Sequence, residues 1–168
     1  LWKRNLLPEV VQIMRQTVQQ ECGQELYIAG DQIYGRLSGT MTNPYQPFEL
    51  LDAVLNYDVY GSMGGITGDK GGTKDRQQLR DYYRVDQKLW RDLAKQHNCS
   101  YIPTVAPGYN DHGHRPQKQH PPLNRKLTNG EYLFDIALKF ARELVDMDVQ
   151  NLILVNSFNE WHEVRKTD

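Results

Sequence analysis

The feature that most constrains the fold is an alternation of helical and strand-like stretches along the chain. Pro8 opens a segment with apolar residues at Val10, Val11, Met14 and Val18, a helical spacing with proline near its start. Leu26-Tyr27-Ile28-Ala29 is a short apolar run closed by Gly30 and Asp31, as a buried strand would be. Phe48 to Leu55 reads as a short helix, and Tyr57-Asp58-Val59-Tyr60 as a brief strand ending at Gly61. Tyr82 to His97 is a longer helix, with Tyr82, Val85, Leu89 and Leu93 on one face. Tyr101 to Ala106 reads as a strand stopped by Pro107-Gly108. Leu133, Ile136, Ala137, Phe140 and Leu144 mark a further helix, and Leu152-Ile153-Leu154-Val155 is the clearest strand.

The order α-β-α-β-α-β-α-β argues for a parallel sheet with crossover helices. Polar and aromatic residues follow each strand: Asp31, Tyr60, Tyr109 with Asp111, and Glu160 with Glu163. Parallel α/β folds carry their sites at the carboxyl ends of the strands, so four clusters in step with four strands is a functional pattern. A closed eight-stranded barrel takes about 250 residues. Four strands therefore make either half of a barrel or a small open sheet.

The chain has 168 residues and a formal net charge of −1, so its overall electrostatics points to neither nucleic acid nor a membrane surface. No apolar run approaches the ~20 residues of a membrane span. Leu1 to Asn5 has no signal-peptide character, and no cellular address is legible. Cys22 and Cys99, the two cysteines, form no metal motif and read as free thiols, with one disulfide as the alternative. Tyrosine, tryptophan and histidine gather late in the chain and in loops, where a flat apolar face and a polar edge suit sugar binding.

The chemistry concentrates in Asn156-Ser157-Phe158-Asn159-Glu160-Trp161-His162-Glu163, directly after the last strand. Carboxyls three positions apart share a face if the backbone takes a helical turn there. Two such groups beside one substrate divide acid and base work when their surroundings separate their pKa values, and Trp161 and His162 would supply a desolvating wall and a hydrogen bond. Retaining glycosidases hold their carboxyls about 5–5.5 Å apart and inverting ones about 6.5–9.5 Å, so the short spacing favours retention. The bland alternative is a polar helix start with carboxylates near its positive end.

The string Ser157 to Glu163 after an apolar strand resembles the signature of glycoside hydrolase family 99. A second block, Ile102 to Asp111, followed by Arg115-Pro116, Asn124-Arg125 and Gly130-Glu131-Tyr132, also matches that family's pattern. The resemblance runs from about Tyr82 to Glu163 and is loose before it. It implies endo-α-mannosidase-like or related bacterial polysaccharide-processing chemistry on a TIM-like (β/α)8 barrel. Residues 1–168 then form one catalytic-domain fragment, the C-terminal portion of an incomplete barrel. The family's retaining mechanism implies Glu160 as base on the sugar's own 2-hydroxyl and Glu163 as acid and then base, with no metal or organic cofactor. Tyr60, Tyr109, Asp111, Arg115, Arg125, Asn159, Trp161 and His162 are the implied substrate-binding or loop-ordering groups. Val164 to Asp168 departs from the Gly-Thr and Gln-Ile-Glu-Pro-like continuation of the family, so the last barrel strand is expected to be missing.

Partner expectations follow: an oligosaccharide or polysaccharide substrate, no nucleic acid, and the rest of the barrel or another subunit. The competing class is a non-catalytic glycan-binding or polysaccharide-assembly module. Asp111, His112, His114 and His120 fit no standard zinc spacing. The six glycines of Gly61 to Lys74 lack a phosphate-loop order and read as a lid or plain loop. Asp31 suits either a substrate contact or a turn, and Trp90 suits helix packing.

Overall fold

The structure is a computed structural model, and it describes residues 6–31, 47–62, 76–109, 113, 116, 117 and 122–156. The chain runs α1 (Leu7–Cys22), β1 (Ala29–Asp31), a 3-10 turn (Pro47–Leu50), β2 (Ala53–Leu55) and α2 (Arg76–Asp81). A π-helical segment (Tyr82–Gln87) leads into α3 (Lys88–Gln96), followed by β3 (Ser100–Ile102), β4 (Thr104–Val105), α4 (Leu133–Ala141), a 3-10 turn (Met147–Val149) and β5 (Leu154–Val155).

All strand pairs are parallel. β1 pairs with β2 and β2 with β3, while β4 pairs with β5. β3 and β4 are one extended stretch divided at Pro103, which has no N–H to give a ladder; its carbonyl still accepts from Leu154 N–H at 2.9 Å. The strands thus lie side by side in chain order, as expected of an α/β fold.

The sheet buries both faces, as parallel sheets do. The register aligns Val54 with Tyr101 and Val105 with Val155, and Val54, Tyr101 and Val105 enter the main core with Trp90, Leu79 and Phe140. Ala53, Leu55, Ile102 and Leu154 point to the other side and pack with Val149 in a second, smaller cluster.

Pro8 begins α1 and Gly23 ends it: Gly23 takes a left-handed φ of 67° and gives its N–H to Gln19 O at 3.0 Å. Only Val11 of this helix is fully buried. Arg15 holds α1 to the sheet by bonding Leu26 O at 2.7 Å and the Asp52 carboxylate at 2.8 Å, while Asp52 also accepts from Ile28 N–H at 2.7 Å.

Five expected elements differ. Phe48 to Leu55 is a 3-10 turn followed by a strand, because Ala53–Leu55 gains ladders on both sides that outweigh its helical pattern. Residues 59–62 are a helical turn and not a strand: Asp58 accepts from Gly61 N–H with its side chain at 2.8 Å and from Ser62 N–H with its carbonyl at 3.1 Å. β1 begins at Ala29, later than the apolar run, and β5 keeps only Leu154 and Val155, the latter 50% exposed. The long helix keeps Tyr82 and, in part, Leu93 of the expected face against the core but turns Val85 and Leu89 outward. Tyr82, Tyr83, Asp86, Gln87 and Trp90 are buried, while Val85 and Leu89 are 51% and 41% exposed. The wider π winding puts residues four and five apart on one side, so a paired stripe replaces the 3.6-residue one.

Candidate functional site

The carboxyl ends of the strands carry the polar and aromatic groups. Asp31 ends β1, and its carboxylate accepts from Tyr57 N–H at 2.9 Å. Burial raises the Asp31 pKa; the Tyr57 N–H opposes that rise and the nearby Asp58 charge adds to it. Asn56, fully buried, follows β2 and gives its side-chain amide to Ser62 Oγ at 2.9 Å and Tyr82 Oη at 2.7 Å. Asn156 follows β5; its N–H continues the ladder to Val105 O at 2.8 Å and its side-chain amide donates to Tyr57 O. Strands two apart in a flat sheet are separated by about 9–10 Å, so this last bond draws the ends of β2 and β5 together across β4.

Tyr60, on the turn after β2, and Tyr109, after β4, are stacked with ring centroids 4.1 Å apart and planes inclined by 24°. Two residues chosen from separate parts of the sequence therefore meet. Tyr109 is fixed by two backbone hydrogen bonds with Leu123, of 2.9 and 2.8 Å. Gly108 precedes it at φ 155°, where a Cβ would sit 3.1 Å from Leu123 O, so the return strand passes close over a glycine. Arg125, exposed and two residues beyond Leu123, joins the same edge, and its carbonyl accepts from Leu133 N–H at 2.8 Å at the start of α4. Asp111, Arg115, Asn159, Glu160, Trp161, His162 and Glu163 lie outside the described residues, as does the loop with His112, His114 and His120.

Beneath this rim lies a layer of buried hydroxyls. Tyr83 donates to Thr104 O at 2.9 Å, and Tyr101 donates to Gln87 Oε1. Burial pushes the phenols of Tyr82, Tyr83 and Tyr101 far above the ordinary range, so all three are neutral hydrogen-bonding groups at any physiological pH.

Sequence reasoning passed over Asn56, Tyr57 and the role of Asn156 at the strand ends. A signal was present: β2 and β5 are both apolar runs followed at once by asparagine, a residue that seldom ends an apolar run without a polar duty. An open groove of about 860 Å³ lies at the opposite, amino end of the sheet, between α1 and the segments before β1 and β2, lined by Arg15, Gln16, Gln19, Tyr27 and Asp52. Glu25 also lines it, and its Arg15 and Asp52 are joined in the bridge that docks α1. Among the described residues no group of three or more His, Cys, Asp or Glu side chains is placed to hold a metal, and no helix is long and apolar enough to cross a membrane. Cys22 is exposed and Cys99 buried, and both are free thiols.

No protein-family model matches the chain. Among solved structures, a "Glycoside hydrolase-like protein" superposes with a TM-score of 0.60 at 24% identity, over 95% of this chain and 41% of that one. That likeness establishes a shared fold, of the kind glycoside-hydrolase-like proteins adopt. In sequence, the mouse "Glycoprotein endo-alpha-1,2-mannosidase" is 34% identical over 84 residues, 48% of this chain and 17% of that protein. The human "Glycoprotein endo-alpha-1,2-mannosidase-like protein" is 36% identical over 76 residues, 45% of this chain and 15% of its own length. The chain is thus similar to endo-α-mannosidase proteins, in keeping with the family 99 resemblance of its motifs, and its match spans less than a fifth of either relative.

Proposed function

We propose that the chain is part of a TIM-like (β/α)8 barrel glycosidase that cleaves α-mannoside-type or related glycans with retention of configuration. The observation that carries this reading is the stacked Tyr60–Tyr109 pair at the strand ends. Tyr60 lies on the turn that follows Tyr57, whose carbonyl accepts from Asn156, the residue that opens the segment containing Glu160 and Glu163. Strands in chain order, all parallel, are the order of a singly wound barrel, whereas doubly wound sheets reverse order at a switch point. In this reading the outer edges of β1 and β5 are where the barrel continues, through further strands or another subunit.

The chemistry proposed for Glu160 and Glu163 balances in two steps. Glu160 takes the proton of the sugar's 2-hydroxyl, whose oxygen attacks C1 as the glycosidic C1–O bond breaks and Glu163 protonates the leaving oxygen. Glu163, now a carboxylate, takes a proton from water; the water oxygen attacks C1 as the C1–O2 bond formed in the first step breaks, and the released 2-oxygen recovers its proton from Glu160. Retention follows from two inversions at C1. Tyr60 and Tyr109 offer an apolar face to a pyranose ring, Arg125, Arg115, Asp111 and Asn159 offer hydrogen bonds, and Trp161 and His162 shape the surroundings of the carboxyls.

Incubating the chain with α-1,2-linked manno-oligosaccharides, and following product anomers by NMR, tests this reading. Turnover with retention that disappears in both Glu160→Gln and Glu163→Gln supports it; turnover unchanged from wild type in the two variants refutes it. The stacked Tyr60–Tyr109 pair suits sugar binding without hydrolysis as well, and the second reading is a non-catalytic glycan-binding or polysaccharide-assembly module. Saturable oligosaccharide binding with no product formation would select that one.

A further inference from the structure

We infer that Asn56 is a positioning residue that sets the Tyr60–Tyr109 pair. The inference deepens the proposed function and rests on reading that pair as the sugar-stacking surface. Asn56 sits immediately after β2 with none of its surface exposed, an expensive place for an amide unless its bonds are needed. Its amide joins two hydroxyls of different standing. Tyr82 belongs to the π-helical segment, is buried, and is held edge-on against Tyr83 at 4.8 Å. Ser62 closes the helical turn 59–62 that carries Tyr60. Both hydroxyls can donate or accept, so the amide satisfies them in either of its two orientations.

Val59 of the turn is buried in the main core and Tyr60 itself packs against that core. Ser62, through Asn56, ties the far end of the same turn to the π-helical segment and so helps to set where the Tyr60 ring lies. The Tyr109 ring is set independently, by the Leu123 bonds and the close pass at Gly108. A stack at 4.1 Å between residues on two strand ends needs both placements. The chain Tyr82–Asn56–Ser62 supplies the one for Tyr60.

The test uses the full chain with tyrosine-selective labelling. Wild type should show NOEs between the ring protons of Tyr60 and Tyr109. Ser62→Ala should lose or sharply weaken them while the amide shifts of α4 stay in place, and Ser62→Thr, which keeps the hydroxyl, should restore them. Asn56→Ala should reproduce Ser62→Ala. If the ligand must hold Tyr60 in place of the lost bond, affinity falls by up to about fivefold, so titration with α-1,2-mannobiose should show a loss within that limit in Ser62→Ala and none in Ser62→Thr. Ring NOEs unchanged in a folded Ser62→Ala overturn the inference. If Asn56→Ala fails to fold, the Ser62 pair still decides it. A wild type that binds no mannobiose sinks the proposed function, whereas the NOE comparison decides the role of Asn56 separately.

Discussion

Leu89 and Trp90 are neighbours in α3, and alanine at each should have very different consequences. Trp90 is 1% exposed and packs in the main core, with its ring 6.3 Å from that of Phe48. Removing a buried aromatic costs about 3–5 kcal/mol, from lost transfer energy and from the cavity left behind. Leu89 is 41% exposed, so its truncation forfeits only part of the roughly 1.5–3 kcal/mol of a fully buried leucine and should cost about 1 kcal/mol or less. In a chain of 168 residues, about 2–4 °C of melting temperature per kcal/mol predicts a drop of roughly 6–20 °C for Trp90→Ala and of about 4 °C or less for Leu89→Ala. Circular dichroism melts and urea titrations on the two variants measure this directly. Should Trp90→Ala not fold, Trp90→Phe must fall between wild type and that limit. A Leu89→Ala loss equal to that of Trp90→Ala would refute the π-helical face and restore the regular helical stripe read from the sequence.

Three further outcomes follow from charge and reactivity. Glu160→Gln and Glu163→Gln should each reduce glycan hydrolysis by roughly 10²–10⁴-fold, the usual weight of acid–base groups, with substrate binding retained, as initial-rate and titration measurements would reveal. Asp31 binds its proton more tightly folded than unfolded, so stability from this group is present at low pH and lost as pH rises through its raised folded pKa. Asp31→Asn, which keeps the acceptor for Tyr57 N–H, should flatten that fall in pH-dependent urea unfolding; an unchanged slope counts against the assignment. Burial pushes the Cys99 thiol up to about 12, so at pH 8 a thiol reagent should modify the exposed Cys22 alone in the native protein and both cysteines in urea.

What the sequence disclosed is the layer set by local patterning. Pro8 and Gly23 frame α1, and the apolar stripe of α4 is buried as its spacing demands, at Leu133, Ile136, Ala137 and Phe140. The meeting of Tyr60 and Tyr109 followed from strand order, because residues just past parallel strands collect at one rim. Tertiary partners decided the remainder. Ala53–Leu55 is a strand through its two neighbours, and Val59 and Tyr60 leave the extended state because Asp58 caps a turn. The burial of Tyr83 and Gln87 depends on a change in helical winding that no 3.6-residue template contains. Asn56 was hidden for a related reason: an isolated asparagine after a strand looks like a turn residue until Ser62 and Tyr82 are seen on either side of it.

The pair of bonds between Tyr109 and Leu123 closes the ends of the intervening segment with main-chain groups alone. Its two ends are held side by side by main-chain groups, and the entropy of keeping them together grows only slowly with the number of residues between. Doubling the length of a flexible loop then adds only about 0.6 kcal/mol. Evolution, or a protein engineer, can lengthen, shorten or exchange that span without disturbing the sheet beneath. A length change between Tyr109 and Leu123 should therefore leave the pairing of β4 with β5 in place.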